Sequence, residues 1–180
     1  DIEAIKKKVM RGLSEPAGII TFPGVNGYTK DLDKRLPYDV NAAKQLLADA
    51  GYPNGFDVEL RCPNDRYVND EAICTAVVGM LGKIGVNVNL FAQTKSKHFK
   101  ELKDNQGDFY MLGWGVPTLD SHYVFHYLYE SGASWNKVNF SNSEVDAAIR
   151  VMEGEVDLDK RNAAIANAWK IVKDDISYLP

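Results

Sequence analysis

Residues 107–125, GDFYMLGWGVPTLDSHYVF, contain the pattern around which the predicted sheet is arranged. The run FYML at 109–112 is apolar and typical of a short buried strand. It ends in Gly-Trp-Gly at 113–115, which places a large flat side chain beside accessible backbone. Ligands of open α/β sheets bind beyond the carboxyl ends of the strands. The stretch therefore predicts a sheet edge that carries a tryptophan.

Upstream of this strand, strand and helix patterns alternate. Residues 56–62 and 86–91 alternate apolar and polar side chains, which predicts strands. Helical spacing of apolar residues covers 39–50, 70–84 and 94–105. In the first of these helices the apolar positions follow the spacing of a single buried stripe. The order predicts an α/β fold with a mixed, mostly parallel central sheet flanked by helices.

Downstream of Trp114 the pattern is mainly helical. An aromatic-rich helix is expected over 120–129. The S-x-x-E sequence of 141–144 has the form of a capping box and predicts a helix that follows it. Asp157 or Asp159 is expected to open the last helix. At the other end of the chain, residues 1–12 predict a short amphipathic helix, and an irregular segment rich in proline and glycine follows it.

Composition limits the classes of function. At 180 residues the chain is expected to form a single domain or one lobe of a larger protein. Hydrophobic residues make up 45% and charged residues 26%, which is typical of a globular protein. A net charge of −4 argues against a nucleic-acid surface, which needs a basic patch. No apolar run reaches the ~18 residues of a membrane-spanning helix.

The two cysteines, Cys62 and Cys74, have neither a metal-binding spacing nor the CxxC form. Cys62 stands at the end of a predicted strand, and Cys74 falls on the apolar face of a predicted helix. The favoured interpretation of Cys74 is a small core residue, and a disulfide between the two remains open. Two cysteines alone do not indicate a redox compartment.

No pattern of catalytic residues is present. The sequence has no G-x-S-x-G elbow, no G-x-G-x-x-G and no Walker A loop, so no enzyme activity and no cofactor is predicted. His122 and His126 are four residues apart and could share a helix face as metal ligands. No third ligand stands near them in the sequence, so they remain weak candidates, and a packed aromatic turn is the favoured interpretation.

A binding site has more support than an active site. The loops 63–69 and 114–121 both follow strands and precede helices, so in a parallel sheet they emerge at the same edge. A tryptophan with charged groups nearby is a residue mix that fixes a small polar ligand. The alternative is that the tryptophan only fills the sheet edge and the arginine pairs with a local acid. The candidate ligand-binding residues are Asn64, Arg66, Tyr67, Trp114, Gly115 and Asp120.

Five segments together resemble the family 5 extracellular solute-binding proteins, the dipeptide- and oligopeptide-binding subunits of ABC importers. They occur in the order and spacing of that family and span nearly the whole chain. The segments are PYDVNAAKQLLADAGYPNGFDVELRCPNDRYVND (37–70), AVVGMLGKIGVNVNL (76–90), GDFYMLGWGVPTLD (107–120), NFSNSEVDAAI (139–149) and DLDKRNAAIANAWKIVKDD (157–175).

The resemblance implies a lobe of a type II periplasmic-binding-protein-like fold. Residues 1–180 would then be the C-terminal lobe of a longer, two-lobed protein. Such a protein is periplasmic, or extracellular and lipid-anchored. It closes its lobes around a small-molecule or peptide ligand and presents the ligand to permease subunits in the membrane. The segment 113–120 would line the cleft on this side.

One position departs from the family's peptide binders. These carry an aspartate a few residues after the tryptophan, which pairs with the free amino group of the peptide. Here the third position after Trp114 is Pro117, and the next acid is Asp120. The family also includes binders of nickel chelates, opines, sugars and heme-like ligands. Peptide is the leading expectation, and a sensor or enzyme domain on the same fold is the alternative of another class.

Overall fold

The chain builds its sheet and its aromatic core in separate parts. A computed structural model describes all 180 residues and divides them into two units. The first unit comprises Asp1–Pro16 and Pro37–Gly113, and the second comprises Ala17–Leu36 and Trp114–Pro180. The assignment of residues 1–180 to one lobe of a longer protein stays a prediction.

The first unit contains a three-stranded parallel sheet. Strand β1 (Phe56–Pro63) lies in the centre and pairs along its whole length with β2 (Val86–Gln93). On its other side it pairs with β3 (Phe109–Tyr110), giving the order β2-β1-β3. Parallel pairing requires crossover connections, and helices supply them here. The predicted α/β class with parallel pairing is confirmed, although β3 is shorter than expected.

Four helical segments belong to the first unit. They are α1 (Ile2–Ala4), which continues as a π-helix over Ile5–Val9, then α2 (Val40–Asp49), α3 (Asp70–Gly82) and α4 (Lys95–Lys103).

The buried stripe predicted for α2 is wrong in this chain. The helix itself forms as expected, because the carboxylate of Asp39 accepts hydrogen bonds from the amides of Asn41 and Ala42. No residue of α2 is buried, and Leu46 is 68% exposed. Periodicity indicates an apolar face but carries no information on whether a partner covers it.

A disulfide joins Cys62 at the end of β1 to Cys74 in α3. Both cysteines are fully buried, and with Leu60 they form the small core between sheet and helix. The bond settles the question that the sequence left open. It fixes the helix to the strand immediately before the loop that contains the candidate residues 64–67.

The second unit is helical. Its elements are α5 (His122–Val124), which continues as a π-helix over Phe125–Tyr129, α6 (Ser143–Gly154) and α7 (Leu158–Asp175). The capping box predicted at 141–144 is wrong: Asn142 is the N-cap of α6, and its side chain accepts from the amides of Glu144 and Val145. Of the two acids expected to open the last helix, Asp157 is the N-cap of α7.

The core of the second unit is aromatic. Trp169 is 1% exposed, and its ring centroid lies 4.6 Å from that of Phe125. Its indole N–H donates to Ser121 Oγ over 3.1 Å, so the buried polar atom is satisfied. The irregular segment 17–36 packs onto this core through Ile19 and Val25. None of the helices of the protein has the length and apolarity required to cross a membrane.

Candidate functional site

Four aromatic rings meet directly after the sheet strand. The ring centroid of Trp114 lies 6.0 Å from Tyr123, 5.9 Å from Tyr127 and 6.0 Å from Trp135. Tyr123 and Tyr127 are one turn apart on the helical segment 122–129, and their centroids are 4.7 Å apart. We call Trp114, Tyr123, Tyr127 and Trp135 the aromatic wall. Its flat, half-buried rings offer a large apolar contact surface.

The indole nitrogen of Trp114 is exceptional within this wall. Nε1 is buried and has no hydrogen-bond partner. Buried indole N–H groups usually find an acceptor, and leaving one unsatisfied costs about 1–3 kcal/mol. A tryptophan that served only to fill the sheet edge would gain nothing from this arrangement. The unsatisfied donor distinguishes Trp114 from Trp169, whose indole N–H is bonded, and a ligand-binding role for Trp114 stays a prediction.

The two glycines beside Trp114 have different environments. A Cβ on Gly113 would lie 2.6 Å from Cε1 of Tyr67, so the tyrosine ring packs directly on the backbone. The Tyr67 hydroxyl also donates to the Gly113 carbonyl over 3.4 Å. Gly115 is exposed and has open space where its Cβ would stand. The backbone after Trp114 is thus accessible, while the backbone before it is held by Tyr67.

The loop after β1 holds three candidate residues in fixed positions. The amide of Asn64 donates to the Gln93 carbonyl over 2.9 Å. The carboxylate of Asp70 accepts from the amides of Arg66 and Tyr67 at 2.9 and 3.0 Å. Burial alone would raise the pKa of Asp70, but these backbone hydrogen bonds outweigh it and hold the pKa below its usual value. The ionised carboxylate of Asp70 therefore holds the backbone of this loop in place.

The side chain of Arg66 is exposed and forms no ion pair. Its guanidinium carbon lies 5.3 Å from the ring centroid of Tyr67, within the range of a cation–π contact. The alternative that Arg66 pairs with a local acid therefore has no support in the structure. The guanidinium is available to an anionic group of a ligand.

Asp120 is fully engaged within the second unit. One oxygen accepts from Arg161 Nη2 at 2.9 Å and from the His122 amide at 2.9 Å. The other accepts from Arg161 Nη1 at 2.8 Å and from Asn26 Nδ2 at 3.0 Å. Burial would raise the pKa of Asp120, but the hydrogen bonds from Arg161, His122 and Asn26 lower it below its usual value. A carboxylate has about four lone-pair sites, and all are used here.

The six sequence-predicted residues fall into two groups. The structure places Trp114, Gly115 and Asp120 in the second unit and Asn64, Arg66 and Tyr67 in the first. Trp114 is part of the aromatic wall, and Gly115 borders open space. The Asp120 carboxylate instead faces Arg161. Convergence of the two groups on one ligand stays a prediction.

Sequence reasoning left Tyr123, Tyr127 and Trp135 out of the candidate site. The i, i+4 spacing of the two tyrosines was a usable signal, since residues four apart on a helix share a face. Trp135 gave no such signal. It comes from a loop 21 residues after Trp114, so its place in the wall depends on tertiary packing.

A second cluster lies beside the wall. The rings of His122 and His126 are stacked with centroids 5.5 Å apart. Oε1 of Glu153, on α6, lies 3.4 Å from His122 Nε2 and 3.9 Å from His126 Nδ1. The structure thus supplies the third potential metal ligand that was missing near the histidines in the sequence.

Comparison with known proteins agrees with this architecture. Residues 1–136 match the middle region of the bacterial extracellular solute-binding proteins, family 5. This match covers well over half of the chain. The chain belongs to that family.

Curated relatives are considerably longer than this chain. Heme-binding protein A of Haemophilus influenzae is 28% identical over 188 residues, a match that covers all of this chain and 34% of that protein. The dipeptide-binding protein of Escherichia coli is 29% identical over 142 residues, covering 77% of this chain and 26% of that protein. The chain therefore spans about a third or less of the length of these relatives.

Solved structures share the fold. The periplasmic binding protein DppA from Helicobacter pylori, in complex with the peptide STSA, matches all of this chain and 35% of its own with a TM-score of 0.88 and 22% identity. NikA from Staphylococcus aureus, in complex with Ni(L-His)2, matches 98% of this chain and 38% of its own with a TM-score of 0.85 and 21% identity. These likenesses confirm the periplasmic-binding-protein fold.

Proposed function

We propose that this chain is the C-terminal ligand-binding lobe of the substrate-binding component of an ABC importer. The observation that carries the proposal is membership of the solute-binding family across residues 1–136. A second lobe closes with it around a small polar ligand, and the closed form delivers the ligand to permease subunits in the membrane. Closure requires the ligand to bind the closed state more tightly than the open state.

The aromatic wall and the accessible backbone at Gly115 support a ligand-binding role. Rings offer apolar contact to varied side chains, and backbone groups orient the main chain of the ligand. Bridging water accommodates the remaining differences in ligand shape. Arg66 supplies an exposed positive charge that forms no ion pair within the protein. None of these roles requires a catalytic group or a cofactor, so the proposed function is binding without chemistry.

A peptide is the proposed ligand. The dipeptide-binding relative and the peptide complex of DppA support this choice. Capture of the peptide's amino group by Asp120 is disfavoured, because the amine would have to displace Arg161 from both carboxylate oxygens. We therefore propose that recognition on this lobe rests on Trp114 and Gly115, with Asn64, Arg66 and Tyr67 as further contacts.

We propose a periplasmic location, or an extracellular one with a lipid anchor. The family is one of extracellular solute-binding proteins. The disulfide between Cys62 and Cys74 fits an oxidising compartment, because structural disulfides persist there and are rare in the cytosol.

A nickel chelate is the second candidate ligand. The observation in its favour is the likeness to NikA in complex with Ni(L-His)2. An opine, supported by the likeness to AgaA in complex with agropinic acid, and a sugar are further alternatives. A sensor or enzyme domain on the same fold is the alternative of another class, and a catalytic or membrane domain fused to the lobe would support it.

Native mass spectrometry of the protein purified from its own cells tests the proposal. A co-purified peptide would support peptide transport, and a metal chelate, opine or sugar would select the alternative ligand. Conversion of the bound molecule during incubation would contradict the binding-only function. Deletion of the gene should abolish growth on the identified ligand as sole nutrient source, and normal growth would contradict a role in import.

A further inference from the structure

We propose that His122, His126 and Glu153 form a binding site for a divalent transition-metal ion of the zinc class, held by the protein's own side chains. The site is distinct from the aromatic wall and does not depend on the transported ligand. It lies between the helical segment 122–129 and helix α6, both in the second unit.

The geometry of the three ligand atoms fits one ion. All three lie within 4.8 Å of one another. Glu153 Oε1 is 3.4 Å from His122 Nε2 and 3.9 Å from His126 Nδ1. In a tetrahedral site with bonds of about 2.0–2.2 Å, neighbouring ligand atoms are about 3.4 Å apart. Small rotations of these side chains would therefore bring all three atoms onto a common ion.

The helix geometry prearranges the two imidazoles. His122 and His126 are one turn apart and their rings are stacked, with an interplanar angle of 25°. Residues four apart on a helix share a face. His126 lies on the π-helical turn 125–129, and such turns are frequent at functional sites.

The donor set selects the class of metal. Imidazole nitrogens suit zinc, copper and nickel, whereas magnesium and calcium prefer sites made of oxygen ligands alone. Oε2 of Glu130 lies 2.8 Å from His126 Nδ1 and adds a second negative charge beside the site. The two carboxylates beside the imidazoles favour a divalent cation by their charge.

The site is partly open to solvent. The side chains of His122, His126 and Glu153 are 29%, 41% and 45% exposed. Three protein ligands with an accessible remaining position is the arrangement of an open zinc site. His122 and Glu153 can be reached from solvent, whereas His126 Nδ1 is itself buried, so the His126 ring has to turn as the ion enters.

The chain has no other accessible histidine and no free cysteine that could bind such an ion. The chain has three histidines, and the third, His98, is fully buried with Nε2 3.0 Å from the Met111 carbonyl. Both cysteines are bonded to each other. Histidine-dependent zinc binding by this protein would thus identify the cluster.

Metal binding would also act on the aromatic wall. The segment 122–129 carries the histidines at positions 122 and 126 and the wall tyrosines at 123 and 127. The rings of His126 and Tyr127 are in contact, with centroids 4.9 Å apart. A bound ion would tie this segment to α6 and so fix the position of the two tyrosines.

Isothermal titration of the tag-free 180-residue chain with Zn²⁺, in the absence of any peptide, tests the site. We expect one ion per chain. His126→Ala and Glu153→Gln should each weaken zinc binding at least about tenfold. Loss of a residue that only hydrogen-bonds to a metal ligand already weakens metal binding by about that factor, and these two residues are proposed as ligands themselves. The double variant His122→Ala/His126→Ala should abolish binding. Glu144→Gln, which removes an exposed acid from the same helix α6, should leave it unchanged.

Two outcomes would overturn the proposal: absence of zinc binding by the unmodified chain, or unchanged binding by the double variant. Imidazole nitrogen NMR signals supply a second measurement. On addition of Zn²⁺ the signals of His122 and His126 should shift and those of His98 should not. Failure of the zinc titration leaves the transport function intact, because no transported ligand is present in the experiment.

Discussion

Asp120 lies in the segment 113–120, and its carboxylate stabilises the fold of the second unit. It holds Arg161 on α7, the amide that begins α5 and the side chain of Asn26. Asn26 and Asp120 also form a parallel backbone bridge. A single carboxylate thus joins three parts of the second unit.

Replacing Asp120 by asparagine should lower the free energy of unfolding. Hydrogen bonds to charged groups contribute about 1.5–3 kcal/mol, and Asp120→Asn removes the charge that orients Arg161. Urea unfolding at neutral pH measures the loss. The matched control is Asp31→Asn, which breaks an exposed pair with Lys34 and should have little effect.

The pH dependence of this loss has a definite sign. The pKa of Asp120 is lower in the folded protein than in the unfolded chain, so its contribution is fully present above the ordinary carboxylate pKa of about 3.9. It disappears as the pH falls through the folded value. The difference between the original protein and Asp120→Asn should therefore shrink below about pH 4. A difference independent of pH would contradict the assigned role of the charge.

Trp114→Ala should weaken ligand binding without unfolding the protein. The variant removes the central ring of the aromatic wall, whereas Phe125 and Trp169 maintain the core. The experiment is calorimetry with trialanine on the protein purified from its own cells. The variant should show an affinity loss of at least about tenfold, because aromatic contacts dominate many binding surfaces. Leu158→Ala, an exposed residue of helix α7 outside the candidate contacts, is the control. Unchanged affinity would show that Trp114 only fills the sheet edge.

At the scale of elements, a disulfide cross-links β1 to α3. The disulfide closes a loop with a sequence separation of 12 residues. Within that loop lie Asn64, Arg66 and Tyr67. The loop that carries three of the five proposed contacts is therefore restrained by a disulfide that joins its two flanking elements.

Loss of this disulfide should destabilise the first unit. Removal of a disulfide typically costs about 2–4 kcal/mol, mainly because the unfolded chain regains freedom. Cys62→Ala/Cys74→Ala should lower the urea midpoint, and dithiothreitol should do the same to the original protein. The double variant itself should not respond to dithiothreitol. An unchanged midpoint after complete reduction would contradict a stabilising role.

Most elements were predictable because their signals are local. Alternation identified β1 and β2. Asp39, the first residue of the helix predicted over 39–50, is the N-cap of α2, and the start of α7 was narrowed to Asp157 or Asp159. The start of α6 was misplaced by one residue, because Ser141 and Asn142 are both good caps and only the structure shows which side chain turns inward. The disulfide and the contact between Trp114 and Trp135 depend on distant packing, which no local pattern encodes.

At the scale of the whole molecule, the candidate site was only partly predictable. Trp114 and Gly115 followed from a strand that ends in glycines. The place of Glu153 beside His126 could not be predicted, because Glu153 belongs to a helix that begins 17 residues after His126. Membership of the family is shown by the match over residues 1–136, which contains three of the five resembling segments.

The 180-residue chain alone should bind peptide poorly. The proposed function divides the ligand contacts between two lobes, and the chain covers 34% of heme-binding protein A. Fewer contacts cannot repay the loss of ligand freedom on binding. Calorimetry with trialanine should therefore show no saturable binding in the micromolar range. Micromolar affinity would show that this chain holds a complete site.

The aromatic wall also has an optical consequence. Trp114 and Trp135 are 6.0 Å apart at an interplanar angle of 64°, and the remaining tryptophan, Trp169, is buried in the core of the same unit. Two indoles so close and so inclined share their electronic excitation, which produces a paired positive and negative band in circular dichroism. The protein thus carries an intrinsic chromophore at its proposed ligand surface, sensitive to small changes in the angle between two rings.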